Sequence, residues 1–290
     1  ALITPEFGLM GESEAELPEV AGAWTGIFVH KNELGSAMVL GAQACTWLAA
    51  TRSGRRRLLP ILGALICFAV VLQARSKTAE LVVIATPIFF FALRVLHLPG
   101  LALLWAVFAV VTLCLLGASV AALFFNEIME AIGKDPSLTG RVPLWQELVS
   151  LVRARPLEGY GYMGFFTPGN PDLDSVHRAI GWKASTAHQG YLDMLLQLGV
   201  LGLALALAAL ARATWLSLAA VRAGTPWASF AAVVMLALVV TSAVEAVLMR
   251  ATSIHAVLLP LVYAATRAQS ARSQTVPFHA GERTIGGANP

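Results

Sequence analysis

Arg141, His188, His30 and Lys31 are the side chains in this sequence whose types and positions could do chemistry together. Arg141 stands where a helix begins inside the only long polar stretch between apolar runs, and His188 stands at the end of that stretch, just before the run opened by Tyr191. His30 and Lys31 relate in the same way to the apolar run after Asn32, a residue type that caps helices. A helix start carries unpaired N–H groups and a partial positive charge, so it suits an anion and best of all a phosphate. Arginine adds paired hydrogen bonds to phosphate oxygens. An imidazole, with an ordinary pKa of about 6.5, can take up a proton near neutral pH. Three helix starts with such neighbours predict a diphosphate site at a membrane surface.

Each residue also has a plainer use. Histidines such as His30 and His188 are often simply solvated at the headgroup level, and Lys31, Arg75 and Lys77 can reach lipid phosphates with their charged ends. Arg141 can steady a surface helix, and Tyr160, Tyr162, Trp145, Trp182 and Tyr191 fit an interfacial aromatic belt. Glu245 and Arg250, near one end of an apolar run, can pair with each other. Convergence on one face is what favours function.

The elements that must position these residues are membrane helices. Of 290 residues, 57% are hydrophobic and only 13% charged, which excludes an ordinary soluble domain and implies an all-α integral membrane protein, a polytopic helical bundle. Apolar runs at 34–51, 58–74, 79–96, 101–125, 191–211, 226–248 and 251–266 predict about seven spans. The net charge of +3 says less than the placement of the arginines. Arg52, Arg55, Arg56 and Arg57 put the first turn inside, and alternation then puts Arg94, Arg212, Arg222, Arg267, Arg272 and Arg283 on the same side. The opposite face receives residues 1–32, the Arg75-Ser76-Lys77-Thr78 turn, the long loop 126–189 and residues 245–250. The expected organisation is therefore an outer loop (1–32), four spans (33–125), a large outer loop that carries the chemistry (126–189), three spans (190–266) and an inner tail (267–290).

Within the long loop, Leu144, Trp145, Leu148, Val149 and Val152 share one side of a helix and Gln146, Glu147, Ser150 and Arg153 the other. This pattern predicts an amphipathic helix lying on the outer membrane surface and ended by Pro156. Gly159, Gly161 and Gly164, alternating with Tyr160, Tyr162 and Phe165, predict a turn with aromatic faces. Pro168, Gly169, Pro171, Asp172, Asp174 and Gly181 give residues 167–183 the look of irregular loop. Cys45, Cys67 and Cys114 lie in apolar runs, where a thiol acts as a small hydrophobe, so neither a disulfide nor a metal site is expected. The chain opens on Ala1 and a polar stretch, which reads as the downstream part of a longer protein.

Gly140-Arg141 with Trp145, then Arg155-Pro156-Leu157-Glu158-Gly159-Tyr160-Gly161, then Ala187-His188-Gln189-Gly190-Tyr191-Leu192 and Leu198-Gly199-Val200-Leu201-Gly202 resemble the signature region of the O-antigen ligase and polymerase family. Gly26-Ile27-Phe28-Val29-His30-Lys31-Asn32 and Ser76-Lys77-Thr78 are most similar to its exopolysaccharide-polymerase branch. The resemblance covers residues 24–205 and departs from the family where Gln189 follows the histidine in place of the usual Asn, and in having fewer spans before the His30-Lys31-Asn32 segment. It implies a GT-C-type glycosyltransferase of the bacterial inner membrane, its active face periplasmic, needing no cofactor, metal or nucleotide sugar. The implied donor is a glycan on undecaprenyl diphosphate, and the implied acceptor a sugar hydroxyl on a second lipid-linked repeat unit (polymerase) or on lipid A-core (ligase). Membrane lipids and a chain-length regulator are its expected partners, and nucleic acid is not.

On that resemblance, Arg141 clamps the diphosphate with Lys31 and with Arg75 or Lys77, and His188 takes the acceptor proton in a single inverting displacement. His30 and Asn32 position the donor, and Tyr160 and Tyr162 border the carrier or sugar. A transporter would need polar groups within its spans, which here are almost uniformly apolar. A membrane anchor with a partner-binding loop would leave the convergence of Arg, Lys and His unexplained.

Overall fold

The computed structural model describes residues 8–11, 21–28, 30–100, 141–225, 227–248 and 262. The expected span at 101–125 lies outside the described residues, as do Arg250 and Cys114, and of the expected span at 251–266 only Val262 is described. The described residues form helices α1 (Lys31–Thr51), α2 (Leu58–Gln73), α3 (Lys77–Ala92), α4 (Arg141–Ala154), α5 (Pro171–Ile180), α6 (Gly190–Arg222) and α7 (Ala228–Val244), with 3-10 turns at Gly54–Arg57 and Leu93–His97. One isolated antiparallel bridge joins Leu9 to Trp24. Lys31–Thr51, Gly54–Gln73 and Gly190–Arg222 are long and apolar enough to cross a membrane, and α7 is a shorter apolar helix.

Burial shows what solvent this bundle is built for. In α2 only Pro60 and Val71 are buried, while Leu58, Leu59, Leu62, Leu65 and Ile66 stand exposed. In water such a helix would aggregate; against lipid tails it is at home, its backbone groups satisfied internally. The protein-facing contacts run through Val39, Ala42, Val71, Val82 and Ala237, joining α1, α2, α3 and α7, and through Leu210, Ala213, Val234, Met235 and Leu238 between α6 and α7.

The long polar loop differs from expectation in two places. Residues 167–183 hold α5, whose start is fixed by Asn170, its side chain accepting the Asp172 N–H at 3.1 Å, and by Pro171 in the first turn. Asp172 and Asp174 complement the N-terminal dipole, and Gly181 at φ 81 ends the helix in the left-handed conformation. Proline and glycine here are helix punctuation. The second difference concerns α4, which starts at Arg141 as expected but does not leave its apolar side to lipid. Leu144 and Leu148 are fully buried against Phe165, Leu173, Val176 and Leu196. Val149, expected on the apolar side, is exposed. The apolar stripe of α5 and the loop supply the cover that lipid was expected to give.

The run expected at 191–211 extends through Arg222, and Gly199 breaks α6 into two pieces with non-helical φ 65, ψ −169. The break opens backbone groups that need partners. The loop before it supplies them: Tyr160 and Gly161 N–H donate to the Leu196 and Gln197 carbonyls at 2.9 and 2.8 Å, and Val200 N–H donates to the Pro156 carbonyl at 2.8 Å. Docking this close leaves no room for a side chain at Gly199, where a Cβ would lie 2.7 Å from the Glu158 nitrogen. The glycine-rich loop thus clamps the break, which separates a short first piece from the longer residues 200–222.

Candidate functional site

Four helix ends meet at one end of the bundle: the starts of α1, α4 and α6 and the finish of α7. The sequence closes the starts of α1 and α6 locally. His30 caps α1, its Nδ1 accepting the Asn32 backbone N–H at 3.2 Å. Gln189 caps α6 by accepting the Leu192 backbone N–H, so the residue that departs from the family pattern serves as a helix cap. Gly190 lies so close to α7 that a Cβ there would meet the Ser242 carbonyl at 2.8 Å and the Glu245 carbonyl at 3.0 Å.

His188 precedes this cap in the left-handed conformation, φ 50, and is 7% exposed. A non-glycine residue held there carries strain that its surroundings must sustain. Those surroundings are a hydrogen-bond chain. Trp145 Nε1 donates to the Ala187 carbonyl at 2.8 Å; the Ala187 N–H donates to Asp193 Oδ1 at 3.0 Å; and Gln197 Nε2 donates to Asp193 Oδ2 at 2.7 Å. Gln197 Oε1 in turn accepts the Met163 N–H at 2.6 Å. Trp182 stacks obliquely on the His188 ring, centroids 5.8 Å apart. The histidine is therefore set by α4, by the docked loop and by the first turns of α6 together.

Trp145 and Arg141 are four residues apart on α4 and share a face. Anchoring the tryptophan to Ala187 aims the arginine at the end of α7. There Nη1 of Arg141 donates to the Val244 carbonyl at 2.9 Å and Nη2 pairs with Glu245 Oε1 at 3.1 Å. The same carboxylate oxygen accepts from Asn32 Nδ2 at 3.4 Å. Glu245 binds Arg141 and the first turn of α1, while Arg250, its expected partner, lies outside the described residues. An open cleft lies alongside, lined by His30, Asn32, Glu33, Ser36, Ser185, Thr186, His188, Glu245, Ala246 and Val247.

The structure brings His30, Asn32 and His188 into one cleft and joins Arg141 to it through Glu245. Lys31, Arg75 and Lys77 stand to one side. Lys31 Nζ donates to the Arg75 carbonyl at 3.3 Å, Arg75 Nη1 donates to the Ala21 carbonyl at 3.2 Å, and Lys77 pairs with Glu80 at 2.9 Å. The turn that carries them reaches the site through Ser76 and Thr78, which line a smaller cleft shared with Asn32, Ser36 and Glu245. Tyr160 packs edge-on against Phe165, with the Arg155 guanidinium over its ring at 4.7 Å. Burial and the nearby Asp172 carboxylate push its phenol above the ordinary range, with Arg155 pulling the other way, so it stays a neutral donor at physiological pH. Tyr162 is exposed, and neither tyrosine lines the cleft. Sequence reasoning passed over Glu245 as a cleft residue, together with Ser185, Thr186 and the buried Asp193. The available signal was an ionisable residue at the end of an apolar run.

A family described as O-Antigen ligase matches residues 60–207, from within α2 to within α6, which includes Arg141 and His188 and leaves out His30, Asn32 and Glu245. An exopolysaccharide production protein, ExoQ of Rhizobium meliloti (strain 1021), is 32% identical over 81 residues, 27% of this chain and 19% of the relative. The matched stretch spans less than a fifth of that relative's length.

Proposed function

Because the chain belongs to the O-antigen ligase family, we propose that this membrane protein is a glycosyltransferase of the periplasmic face of the bacterial inner membrane, transferring a glycan from an undecaprenyl-diphosphate carrier to a sugar hydroxyl. The observation that carries this reading is the meeting of Arg141, Asn32, His30 and His188 around one open cleft at the ends of membrane-length helices.

A lipid diphosphate is a good leaving group, so the reaction mainly needs charge stabilisation and a base. The acceptor oxygen attacks the anomeric carbon, the bond from that carbon to the diphosphate oxygen breaks, and the hydroxyl proton passes to His188. A single displacement inverts the anomeric configuration. The guanidinium has five N–H donors; the bond to the Val244 carbonyl holds it in place, and the others, with the one that pairs to Glu245, can turn to phosphate oxygens. Charge growing on the leaving oxygen is offset by Arg141, with Lys31, Arg75 and Lys77 adding positive potential nearby and no metal required. His30 and Asn32 orient the donor, and Tyr160 and Tyr162 stand where a carrier or distant sugar passes.

The acceptor we favour is a second lipid-linked repeat unit, which makes the protein a polymerase, in keeping with the name of the exopolysaccharide relative. Transfer to lipid A-core is the second reading, favoured by the ligase description of the family. The test gives the purified protein undecaprenyl-diphosphate-linked repeat units with no other acceptor and looks for a glycan ladder on a gel. A ladder supports the polymerase. A single product that forms only when lipid A-core is added supports the ligase, and no product with either acceptor refutes the transfer reaction.

A further inference from the structure

A cationic site at the headgroup level of a membrane must contend with phospholipids. Their monoanionic phosphodiesters surround it in large excess, and an uncompensated arginine attracts them. The cleft lies at the ends of membrane-length helices, where this competition would be strongest. Yet Arg141 is occupied within the protein: Glu245 Oε1 accepts from its Nη2 at 3.1 Å and from Asn32 Nδ2 at 3.4 Å. Their side chains are 27% and 14% exposed, so the pair is shielded from water but open to a ligand from the cleft that Glu245 lines.

We propose that Glu245 is a specificity-determining residue, its carboxylate holding the place of a phosphate oxygen on Arg141 and Asn32 so that a lipid diphosphate, but not a monoanionic phospholipid, takes them over. The inference rests on the diphosphate-donor reading given above. The physical reason is an exchange of like for like. A carboxylate and a phosphodiester each carry one negative charge, so replacing the tethered one with the free one gains no attraction and adds repulsion from the displaced Glu245. A diphosphate carries at least two charges on adjacent groups and gains on exchange. Specificity by built-in repulsion of the wrong partner is the result. A glutamine in this place could accept the same hydrogen bonds but would leave the charge of Arg141 uncompensated.

The test measures binding of geranylgeranyl diphosphate to the purified protein in nanodiscs, first of phosphatidylcholine alone and then with a rising fraction of phosphatidylglycerol. General surface repulsion acts on all variants alike, so the readout is the difference between them. In phosphatidylcholine, Glu245→Gln should bind the probe about tenfold tighter than the wild type, as expected from losing one adjacent like charge. As phosphatidylglycerol rises, the wild type should lose little affinity and Glu245→Gln should lose the whole of its advantage. Glu245→Asp keeps the charge but shortens its reach, so it should fall between the two, and it decides the matter alone if Glu245→Gln does not fold. Inorganic pyrophosphate should displace the probe, which shows that the headgroup and not the tail is held. Equal phosphatidylglycerol sensitivity in all variants, or failure of pyrophosphate to compete, overturns the proposal. If binding behaves as stated while the wild type transfers no glycan, the transfer reading fails and the selectivity of the site stands.

Discussion

The two walls of the cleft are built differently. The wall formed by α4, the docked loop and the start of α6 is a continuous network: Trp145 to Ala187, Ala187 to Asp193, Asp193 to Gln197, Gln197 to Met163, with the loop backbone bonded into the break at Gly199. The wall formed by α1 and α7 reaches the site with single side chains, the His30 cap and the Asn32–Glu245 bond. Among the contacts that cross between them, Arg141 to Val244 and Glu245, and Tyr191 Oη to the Val239 carbonyl at 2.9 Å, carry the geometry. A rigid wall that sets an imidazole in a strained conformation faces a lighter wall that contributes the counter-charge. The family match covers the first wall and not the second.

The comparison breaks most completely at Gly199. Its Cβ position is filled by the Leu157–Glu158 backbone and its φ is positive, so Gly199→Val must expel the loop from the break. We expect a loss of at least about 3 kcal/mol in the stability of the loop region, read as lost hydrogen-exchange protection at residues 156–161, whereas α1 and α2 keep theirs. Trp145→Phe is a smaller insult. It keeps the ring in the core and removes one hydrogen bond, to the Ala187 carbonyl, at a cost of about 1 kcal/mol in thermal denaturation. If the network aims Arg141, the proposed transfer should slow more than the stability change explains. The smallest effect belongs to Asn170→Ala, which removes the cap of α5 and a bond to the Phe165 carbonyl on the side of the first wall away from the cleft, and should cost about 1 kcal/mol of stability with turnover per folded molecule unchanged.

How much of this could be read from the sequence depended on which solvent an element meets. The α1 and α2 runs were visible because lipid accepts uniform apolarity, and their bounds match closely at 34–51 against Lys31–Thr51 and 58–74 against Leu58–Gln73. The start of α4 was visible from its 3.6-residue pattern. Its cover was not, because a stripe of Leu144 and Leu148 looks the same whether lipid or Phe165 lies against it. The α5 helix was hidden because Asn170, Pro171 and Gly181 read as breakers when counted, and as a start and a stop when placed in order. Glu245 was visible as an unusual charge, but its bond to Arg141 spans 104 residues of sequence and only tertiary packing supplies it.

The central claim is a division of work between two residues of the first wall, with His188 serving the acceptor and Arg141 the donor. It is tested most directly by steady-state kinetics of glycan transfer in wild type, His188→Ala and Arg141→Ala, varying the lipid-diphosphate donor. The account predicts that His188→Ala lowers kcat by about 10² to 10⁴ with donor KM unchanged. Arg141→Ala should lower kcat by about 10² or more and raise donor KM as well. Near-normal kcat in His188→Ala, or an Arg141→Ala enzyme whose donor KM does not move, would contradict it.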